Sequence, residues 1–381
     1  MSHWPGKFII GLTGNIATGK SVVRKMLEHL GAYTIDADML AHRAIAKGAP
    51  GYQPVIDTFG KWILGPNGEI DRKKLAAIVF SDPEALQRLE AIVHPLVGEA
   101  IDWLARHSPR KVIVIEAIKL LESDLKGLCD SVWVVDASPE TQLARLMRKR
   151  GMSEREARRR IAAQPPQQAK VAAADVVIHN DGSFEDTWKQ VVAAWRRVVA
   201  RATGTEAQTG PVTVATSASY HVERGGPRQA EEIARFISQV TRGQRQPTRT
   251  DILAAFGEQA YLLLRRGKQL VGLAGWQVEN LISRTIEFYL APEVDPEQGI
   301  PLMVQEIERG SQELQCEAAL IFLLPAMLQA NPKVWERLGY QVRQPQDLGV
   351  RAWQEAARES QPPGTVMLFK QLRKDRVLHP I

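Results

Sequence analysis

Short runs of consecutive apolar residues recur along the first 180 positions of the chain, with helical stretches between them. Continuous apolar runs are typical of parallel strands that are covered on both faces. The runs that predict strands are residues 8–12, 33–35, 112–115, 132–135 and 175–178. Because strands alternate with helices, this part of the chain predicts an α/β fold with a right-handed, doubly wound parallel sheet.

The pattern changes after a helical stretch at 188–199. Residues 203–211 are small and polar, include Gly and Pro, and show no periodicity, as is typical of a linker. Because 381 residues exceed one typical core, we expect a domain over 1–202, a linker over 203–211 and a second domain over 212–381. The second domain is predicted to be mixed α/β, with helices at 230–240 and 302–314, a hairpin pairing 261–264 with 270–274, and strands at 285–290, 319–323 and 366–369.

The overall composition narrows the class of protein. It is 44% hydrophobic and 24% charged, which is typical of globular domains. The net charge of +6 comes with basic residues gathered locally at 145–160, so an anionic nucleotide substrate accounts for it and we expect no nucleic-acid partner. Cys129 and Cys316 lie too far apart to predict a disulfide framework or a zinc site. No apolar run of about 18 residues predicts a membrane segment, so we expect a cytoplasmic protein; the oligomeric state stays open.

The first strand leads into a phosphate-binding pattern. Two glycines with four residues between them are followed by Lys20 and Ser21, between a predicted strand and a predicted helix. Such a loop presents backbone N–H groups to phosphates, Lys20 contacts the β- and γ-phosphates, and Ser21 is the expected ligand of Mg²⁺. The residues expected to bind the nucleotide are Gly14, Ala17, Thr18, Gly19, Lys20, Ser21, Val22 and Asn180.

Two carboxylates follow the second predicted strand. Asp36 and Asp38 lie where strand ends open onto the ligand crevice of such sheets. A carboxylate there accepts a hydroxyl proton or holds a metal ion, whereas a solvated loop or a helix cap is the alternative. Glu116 ends the strand at 112–115, where an aspartate binding the metal would be expected.

An ordered set of short motifs spanning about residues 8–200 resembles the dephospho-CoA kinase family. The motifs are 14–21, Asp36-Ala37-Asp38, Phe59-Gly60, Asp71-Arg72, Leu75, Val79-Phe80, Leu89-Glu90, His94-Pro95, 120–122, 160–164, Ala174-Asp175 and Asn180. The resemblance implies transfer of the γ-phosphoryl group of ATP to the 3′-hydroxyl of the ribose of dephospho-CoA, which is the last step of coenzyme A synthesis. It also implies that Asp38 is the general base, and that Asp36 binds the substrate.

Two further features fit an acceptor site and a lid. Residues 58–67 and 73–95 predict a helical insertion that accepts the CoA moiety, in which Arg72 pairs with a phosphate and His94 shapes a turn with Pro95. A packed or capping role for His94 is the alternative. Residues 143–164 form a basic helical pair that resembles the lid over ATP. Arg145 is its candidate for stabilising charge, because a guanidinium suits phosphate oxygens; a solvated helix face stays the alternative.

From about residue 212 the order of elements resembles the GCN5-related acetyltransferase fold. Residues 331–340 resemble its late helix and turn, and residues 367–370 its closing strand. That family holds the pyrophosphate of acetyl-CoA in a glycine-rich loop at a helix start. The corresponding residues here, 296–301, have one glycine and two prolines, which lack N–H donors, so we expect a degraded loop. Glu287 is expected to be an exposed strand carboxylate, and a base only if the domain is an active acetyltransferase.

These observations favour a small-molecule kinase with an accessory C-terminal domain. A nucleoside or nucleotide kinase with the same fold is one alternative. An acyltransferase or acyl-CoA sensor acting through the second domain is another. A GTPase-like switch would need an Asn-Lys-x-Asp motif to select guanine, and the sequence has no convincing one.

Overall fold

Two β-sheets, one in each half of the chain, organise the protein. The computed structural model describes residues 3–204, 212–217 and 219–374, without the side chains of residues 149, 150, 201 and 212–215. Most of the predicted linker, residues 205–211, lies outside the described residues. Among the helices that are described, none is both long and apolar enough to cross a membrane.

The first sheet is entirely parallel. Its strands are β1 (Phe8–Thr13), β2 (Tyr33–Asp36), β3 (Val112–Glu116), β4 (Ser131–Asp136) and β5 (Val176–His179). The helices of this half are α1 (Lys20–His29), α2 (Ala37–Ala44), α3 (Tyr52–Phe59), α4 (Arg72–Val79), α5 (Pro83–His107), α6 (Pro139–Arg150), α7 (Glu154–Ala162), α8 (Gln167–Ala172), α9 (Phe184–Ala194) and α10 (Arg201–Thr203), with 3₁₀ turns at Lys61–Ile63 and Asp124–Leu128 and a π-helical turn at Trp195–Ala200.

The strand order β2-β3-β1-β4-β5 places β1 at the centre of the sheet. All five residues of β3 are buried, as expected for a strand covered on both faces. One hydrophobic cluster joins the sheet to α2 and α5, and another joins its opposite face to α1 and α9. The predicted doubly wound α/β fold is therefore confirmed.

One local prediction in the helical insertion is wrong. Pro95 lies inside α5, a helix of 25 residues, so His94 and Pro95 do not form a turn. The sequence suggested a turn because the residue before a proline is biased away from helical conformation. Asp82 caps the helix, and a buried face that includes Val93 and Val97 packs against the core, which keeps α5 continuous through the proline. His94 is exposed.

The second sheet is mixed. Its strands are β6 (Val212–Thr216), β7 (His221–Arg224), β8 (Ala260–Arg266), β9 (Gln269–Glu279), β10 (Ile282–Leu290), β11 (Ala318–Leu323), β12 (Gln341–Val342) and β13 (Val366–Gln371). Its helices are α11 (Ala230–Val240), α12 (Arg249–Ala255), α13 (Pro296–Glu313), α14 (Pro325–Ala330), α15 (Pro332–Arg337) and α16 (Arg351–Ser360), with 3₁₀ turns at Pro227–Gln229 and Pro345–Asp347. The order is β12-β13-β11-β10-β9-β8-β7-β6, in which β10 and β11 are parallel and the other pairs antiparallel. The predicted mixed α/β architecture is confirmed.

The expected loop at 296–301 is a helix. α13 begins at Pro296, six residues before the predicted start, and Pro301 lies inside it. A proline in the first helical turn loses nothing, because its N–H would have no partner within the helix. The Asp295 side chain accepts the N–H of Glu297 and caps this end.

The tip of the β9–β10 hairpin reaches into the N-terminal half. Asn280 and Leu281 have φ values of +54° and +62°, as a two-residue turn of type I′ requires. A bulky residue is strained in this conformation. Leu281 is nevertheless only 8% exposed, because its side chain belongs to the hydrophobic cluster of the first sheet. The strained turn therefore buries the Leu281 side chain against the N-terminal half of the chain.

Polar contacts accompany this packing. The Arg43 guanidinium, in α2, lies 2.6 Å from the Glu317 carboxylate and donates to the carbonyl of Asn280 at 2.9 Å. Lys25, in α1, donates from Nζ to the carbonyl of Val278 at 3.1 Å. Further ion pairs between the two halves join Arg110 to Glu313, Arg249 to Glu185 and Arg351 to Glu69. Both helices that follow the first two strands therefore contact the second sheet.

We expect Arg43→Met to lower the free energy of unfolding by about 3 to 5 kcal/mol, because it removes the guanidinium that neutralises the fully buried Glu317 carboxylate. Arg88→Met is the matched control, since Arg88 and Asp82 form an exposed pair at 3.9 Å, which is expected to contribute less than about 1 kcal/mol. The measurement is the urea midpoint of each full-length variant. Equal midpoints for the two variants would show that the Arg43 pair does not stabilise the fold.

Candidate active site

The carboxyl ends of β1, β2 and β3 meet at one edge of the first sheet, and the predicted phosphate loop lies there between β1 and α1. The loop turns at two glycines. Gly14 and Gly19 have φ values of +153° and +94°, and a Cβ would collide with the Val135 carbonyl at the first and with the Asn180 amide at the second. Both positions therefore require glycine. Ala17, between them, also has a positive φ, of +58°.

Lys20 begins α1, and its ammonium lies over the loop. Nζ donates to the carbonyl oxygens of Gly14 at 2.9 Å and Asn15 at 3.4 Å. Burial lowers the pKa of the Lys20 ammonium, whereas the carboxylates of Glu116 and Asp38 raise it. The cation therefore contacts the loop backbone and is under the electrostatic influence of the carboxylates at the end of β3 and in the first turn of α2.

Ser21 and Val22 follow Lys20 in the first turn of α1 and differ in their surroundings. Ser21 is exposed, so its hydroxyl oxygen is accessible next to Lys20. Val22 packs against a hydrophobic cluster of the first sheet, and a Cβ added to Gly257 of the second half would lie 3.3 Å from it. The structure therefore brings Ser21 to the loop surface and places Val22 near the second half of the chain.

Asp38 lies in the first turn of α2, and its Oδ2 accepts the N–H of Ile118 at 3.0 Å. Burial raises the pKa of the Asp38 carboxyl above its ordinary value, and Asp36 adds to the rise. The N–H of Ile118 and the charges of Lys20 and Lys170 act in the opposite direction. A carboxylate with a raised pKa beside a phosphate loop is suited to accept a proton from a hydroxyl group.

Asp36 has structural partners. Its Oδ1 accepts the N–H of Met39 at 2.9 Å and so caps α2, and its Oδ2 lies 3.6 Å from Arg24. The same guanidinium lies 3.2 Å from Glu116, which ends β3. Asp36 therefore performs the capping role that the sequence left open, and Arg24 compensates the carboxylates that end β2 and β3.

The basic helical pair, α6 and α7, reaches the phosphate loop through Arg145. Its guanidinium donates to the carbonyl oxygens of Ala17 at 3.2 Å, Thr18 at 3.0 Å and Asn180 at 2.6 Å. Asn180 also donates from its side chain to the carbonyl of Thr18 at 2.8 Å. Arg145 and Asn180 therefore both contact the loop backbone.

The segment after α7 also contacts this edge of the sheet. The Gln164 Oε1 accepts the N–H of Ile16 at 2.7 Å, and the Gln167 Oε1 accepts the N–H of Asn15 at 3.2 Å. Gln164 belongs to a motif of the family resemblance but was given no role from the sequence, and Gln167 was missed. The signal that could have found them is the pair of amide side chains, Gln164 and Gln167, at the end of the lid and just beyond it.

Lys170, in α8, was also missed. It is 3% exposed, and its Nζ donates to the carbonyl of Ile118 at 2.7 Å. Burial lowers the pKa of its ammonium, while Glu122 and Asp38 raise it. A lone lysine in a short helix carries no sequence signal, because the contact spans 52 positions of the chain.

The predicted acceptor residues are placed separately. Arg72 begins α4 and lines a cavity of about 350 Å³ with His42, one turn along α2 from Asp38. Arg284 and Arg351 of the second half line the same cavity. His94 lies on the exposed face of α5 and is not among the residues lining it. The structure thus brings Arg72, but not His94, to this cavity.

The second half differs from the sequence expectation at Glu287. Its side chain is only 11% exposed, and it pairs with Arg245 at 2.6 Å and accepts a hydrogen bond from Gln259 at 3.2 Å. The expectation of an exposed carboxylate is wrong because the side chains of Arg245 and Gln259 cover it. The start of α13 carries two acidic side chains, those of the Asp295 cap and of Glu297.

Comparisons with known proteins follow the same division of the chain. The family model of dephospho-CoA kinase matches residues 8–186. A dephospho-CoA kinase of Streptomyces avermitilis is 47% identical over 194 residues, which are 51% of this chain and 95% of that protein. A crystal structure of a Thermus thermophilus protein is 32% identical, covering 51% of this chain and 97% of that one, with a TM-score of 0.45.

The second half is similar in structure to an N-acetyltransferase of Thermoplasma acidophilum solved in complex with coenzyme A. That likeness covers 40% of this chain and 99% of the other, at 11% identity and a TM-score of 0.30. A score this low supports no argument about what the second half binds.

Family membership follows from the first half. This chain is 47% identical to a relative of which it covers 95%, and it belongs to the dephospho-CoA kinase family.

Proposed function

We propose that the chain transfers the γ-phosphoryl group of ATP to the 3′-hydroxyl of dephospho-CoA and so produces coenzyme A. The observation that carries the proposal is the placement of Asp38, a half-buried carboxylate with a raised pKa, beside the phosphate loop and within the electrostatic influence of Lys20. The family supplies the donor and the acceptor. We assign the activity to residues 1–202 and place it in the cytoplasm, where coenzyme A synthesis would supply its substrate.

In the proposed reaction the 3′-hydroxyl oxygen of the acceptor attacks the γ-phosphorus of ATP. The proton of the hydroxyl passes to Asp38, and the bond from the γ-phosphorus to the bridging oxygen breaks to release ADP. Lys20 and Arg145 offset the negative charge on the transferred group, which is the main task of a protein in phosphoryl transfer. Asp36 orients Asp38 by capping the helix that bears it.

Mg²⁺ is the metal that the P-loop pattern implies, and the donors fit it. Ser21 offers a hard oxygen ligand at the loop. Across the described residues, no group of three or more His, Cys, Asp or Glu side chains is arranged to hold a metal ion. The phosphates of ATP would therefore supply most of its ligands, as Mg²⁺ prefers in nucleotide sites. When bound, the ion neutralises charge on the phosphates.

The test of the proposed function compares acceptors. The full-length protein, with ATP and Mg²⁺, is given dephospho-CoA, adenosine or a nucleoside monophosphate, and initial rates of ADP release and product formation are measured. We expect kcat/KM to be highest for dephospho-CoA. A preference for adenosine or a nucleotide would instead establish the alternative nucleoside or nucleotide kinase.

The raised pKa of Asp38 predicts how the rate depends on pH. Asp38 must be ionised to accept the proton, so kcat falls as the pH drops through its pKa, at a pH above the value near 4 that is usual for aspartate. The measurement is kcat against pH at saturating substrates, with Asp38→Asn as the control for titration of ATP itself. An acid limb that persists unchanged in Asp38→Asn would assign it to another group.

We infer that the second domain, residues 212–381, is accessory rather than an acyltransferase. The first turn of α13 would repel a pyrophosphate, because Pro296 lacks an N–H, the N–H of Glu297 is occupied by Asp295, and both acidic side chains are negative. Glu287 is paired with Arg245. Calorimetry of acetyl-CoA with the full-length protein saturated with dephospho-CoA tests this inference. A separate stoichiometric binding event would favour the acyltransferase or acyl-CoA sensor.

A further inference from the structure

The backbone of Ile118 connects Asp38 to a buried cation. Ile118 follows β3 by two residues, and its N–H donates to the Asp38 carboxylate at 3.0 Å. Its carbonyl accepts from Lys170 Nζ at 2.7 Å and from the Thr13 hydroxyl at 3.1 Å. The residue that orients Asp38 is therefore held in turn by Lys170 and Thr13.

Lys170 also belongs to the segment that joins the lid to the phosphate loop. It lies in α8, whose first residue, Gln167, accepts the N–H of Asn15 and donates to the Val135 carbonyl at 3.0 Å. Gln164, at the end of the lid, accepts the N–H of Ile16. A shift of α8 would therefore change the contacts of both the phosphate loop and Ile118.

We propose that Lys170 is a positioning residue for phosphoryl transfer, which holds the Asp38 carboxylate in place through the backbone of Ile118. The proposal rests on the proposed function, in which Asp38 is the base. The charged groups that face Asp38 are Asp36, Glu116, Lys20 and Lys170. Of the two lysines, Lys20 is assigned to the phosphates, so Lys170 is the cation that stays with Asp38 throughout the reaction and favours its ionised form.

Three substitutions separate the hydrogen bond of Lys170 from its charge. Lys170→Met removes both, Lys170→Gln keeps a donor for the Ile118 carbonyl without the charge, and Lys170→Arg keeps both. Lys189→Met is the matched control, because it removes the same charge from a side chain that is 76% exposed. Each full-length variant is assayed for kcat, for the KM of both substrates and for the pH dependence of kcat.

We expect Lys170→Met to lower kcat by on the order of ten- to a hundredfold, as is usual when the partner that orients a functional group is removed. The KM for ATP should change little, and the acid limb should move to higher pH, because loss of a positive charge raises the pKa of Asp38. Lys170→Gln should recover part of kcat but keep the shifted limb. Lys170→Arg should restore both, and Lys189→Met should match the wild type.

The acid limb distinguishes positioning from mere structural support. If Lys170→Met fails to fold, the comparison of Lys170→Gln with Lys170→Arg gives the same test. Acid limbs that superimpose for Gln, Arg and wild type would overturn the proposal, as would an unchanged kcat in Lys170→Gln and Lys170→Met. A wild-type protein that does not phosphorylate dephospho-CoA would instead refute the proposed function, and this inference with it.

Discussion

Lys20→Ala should lower kcat by roughly a hundred- to a thousandfold, the usual cost of deleting one group that stabilises charge in a transition state. The Lys20 ammonium lies on the phosphate loop, where Nζ donates to the carbonyls of Gly14 and Asn15. When ATP is bound, the same ammonium can donate to its phosphates instead. Because burial already disfavours the charged ammonium, its removal should not destabilise the fold. The measurement is steady-state kcat together with the thermal midpoint.

Lys20→Arg separates the charge of Lys20 from its shape, since it keeps the positive charge but changes the shape of the head group. A guanidinium is a planar fork and does not replace a compact ammonium in a tight loop. We therefore expect Lys20→Arg to stay well below the wild-type rate. Activity close to wild type in Lys20→Ala would mean that Lys20 does not contact the transferred phosphate.

Asp38→Asn should lower kcat by about a hundred- to ten-thousandfold, the range that general base catalysis contributes. The amide has the shape of the carboxylate and keeps an oxygen that can accept the N–H of Ile118, so the KM for ATP should change little. Steady-state kinetics at a pH above the acid limb measures both parameters. A loss confined to KM would show that Asp38 binds substrate without accepting the proton.

Asp36→Asn provides the matched comparison for Asp38→Asn. The amide oxygen can still cap α2 by accepting the N–H of Met39, although the pair with Arg24 is weakened. Its effect on kcat should therefore be clearly smaller than that of Asp38→Asn. Equal losses in the two variants would point to a shared metal or binding role for the two carboxylates rather than to a single base.

The sequence predicts the first sheet well because its signals are local. Buried parallel strands are short apolar runs, and the phosphate loop needs glycines at set positions, where φ is positive at both Gly14 and Gly19. The second sheet is less accessible to such arguments. β6, β7, α12 and α16 were not expected. Of these, β7 pairs with β8 and α16 packs against β10, and both partners are distant in the chain.

At α5 and at Glu287, tertiary packing overrides a local preference, since α5 continues through Pro95 because its apolar face is buried. At α13 the overlooked signal was local, because a proline suits the first turn of a helix and Pro296 begins this one. Glu287 is covered by Arg245 and Gln259, which lie about 40 and 30 positions away along the chain.

The residues of the candidate site also divide into those with a local sequence signal and those without one. Lys20, Ser21 and Asp38 could be selected from motifs because they are close to the loop or to a strand end in sequence. Lys170 and Gln167 reach the site only through the fold, across 52 and 152 positions. Residues that hold the reacting groups in place therefore needed the structure, whereas the groups themselves did not.

The most direct test of the account follows the phosphorus atom. The full-length protein is incubated with Mg²⁺, dephospho-CoA and ATP labelled at the γ-phosphorus, and the products are separated and identified by mass and by the position of the new phosphate ester. We expect the label to appear in coenzyme A, on the 3′-oxygen of the ribose. Label found in inorganic phosphate alone, or on another acceptor or another oxygen, would contradict it.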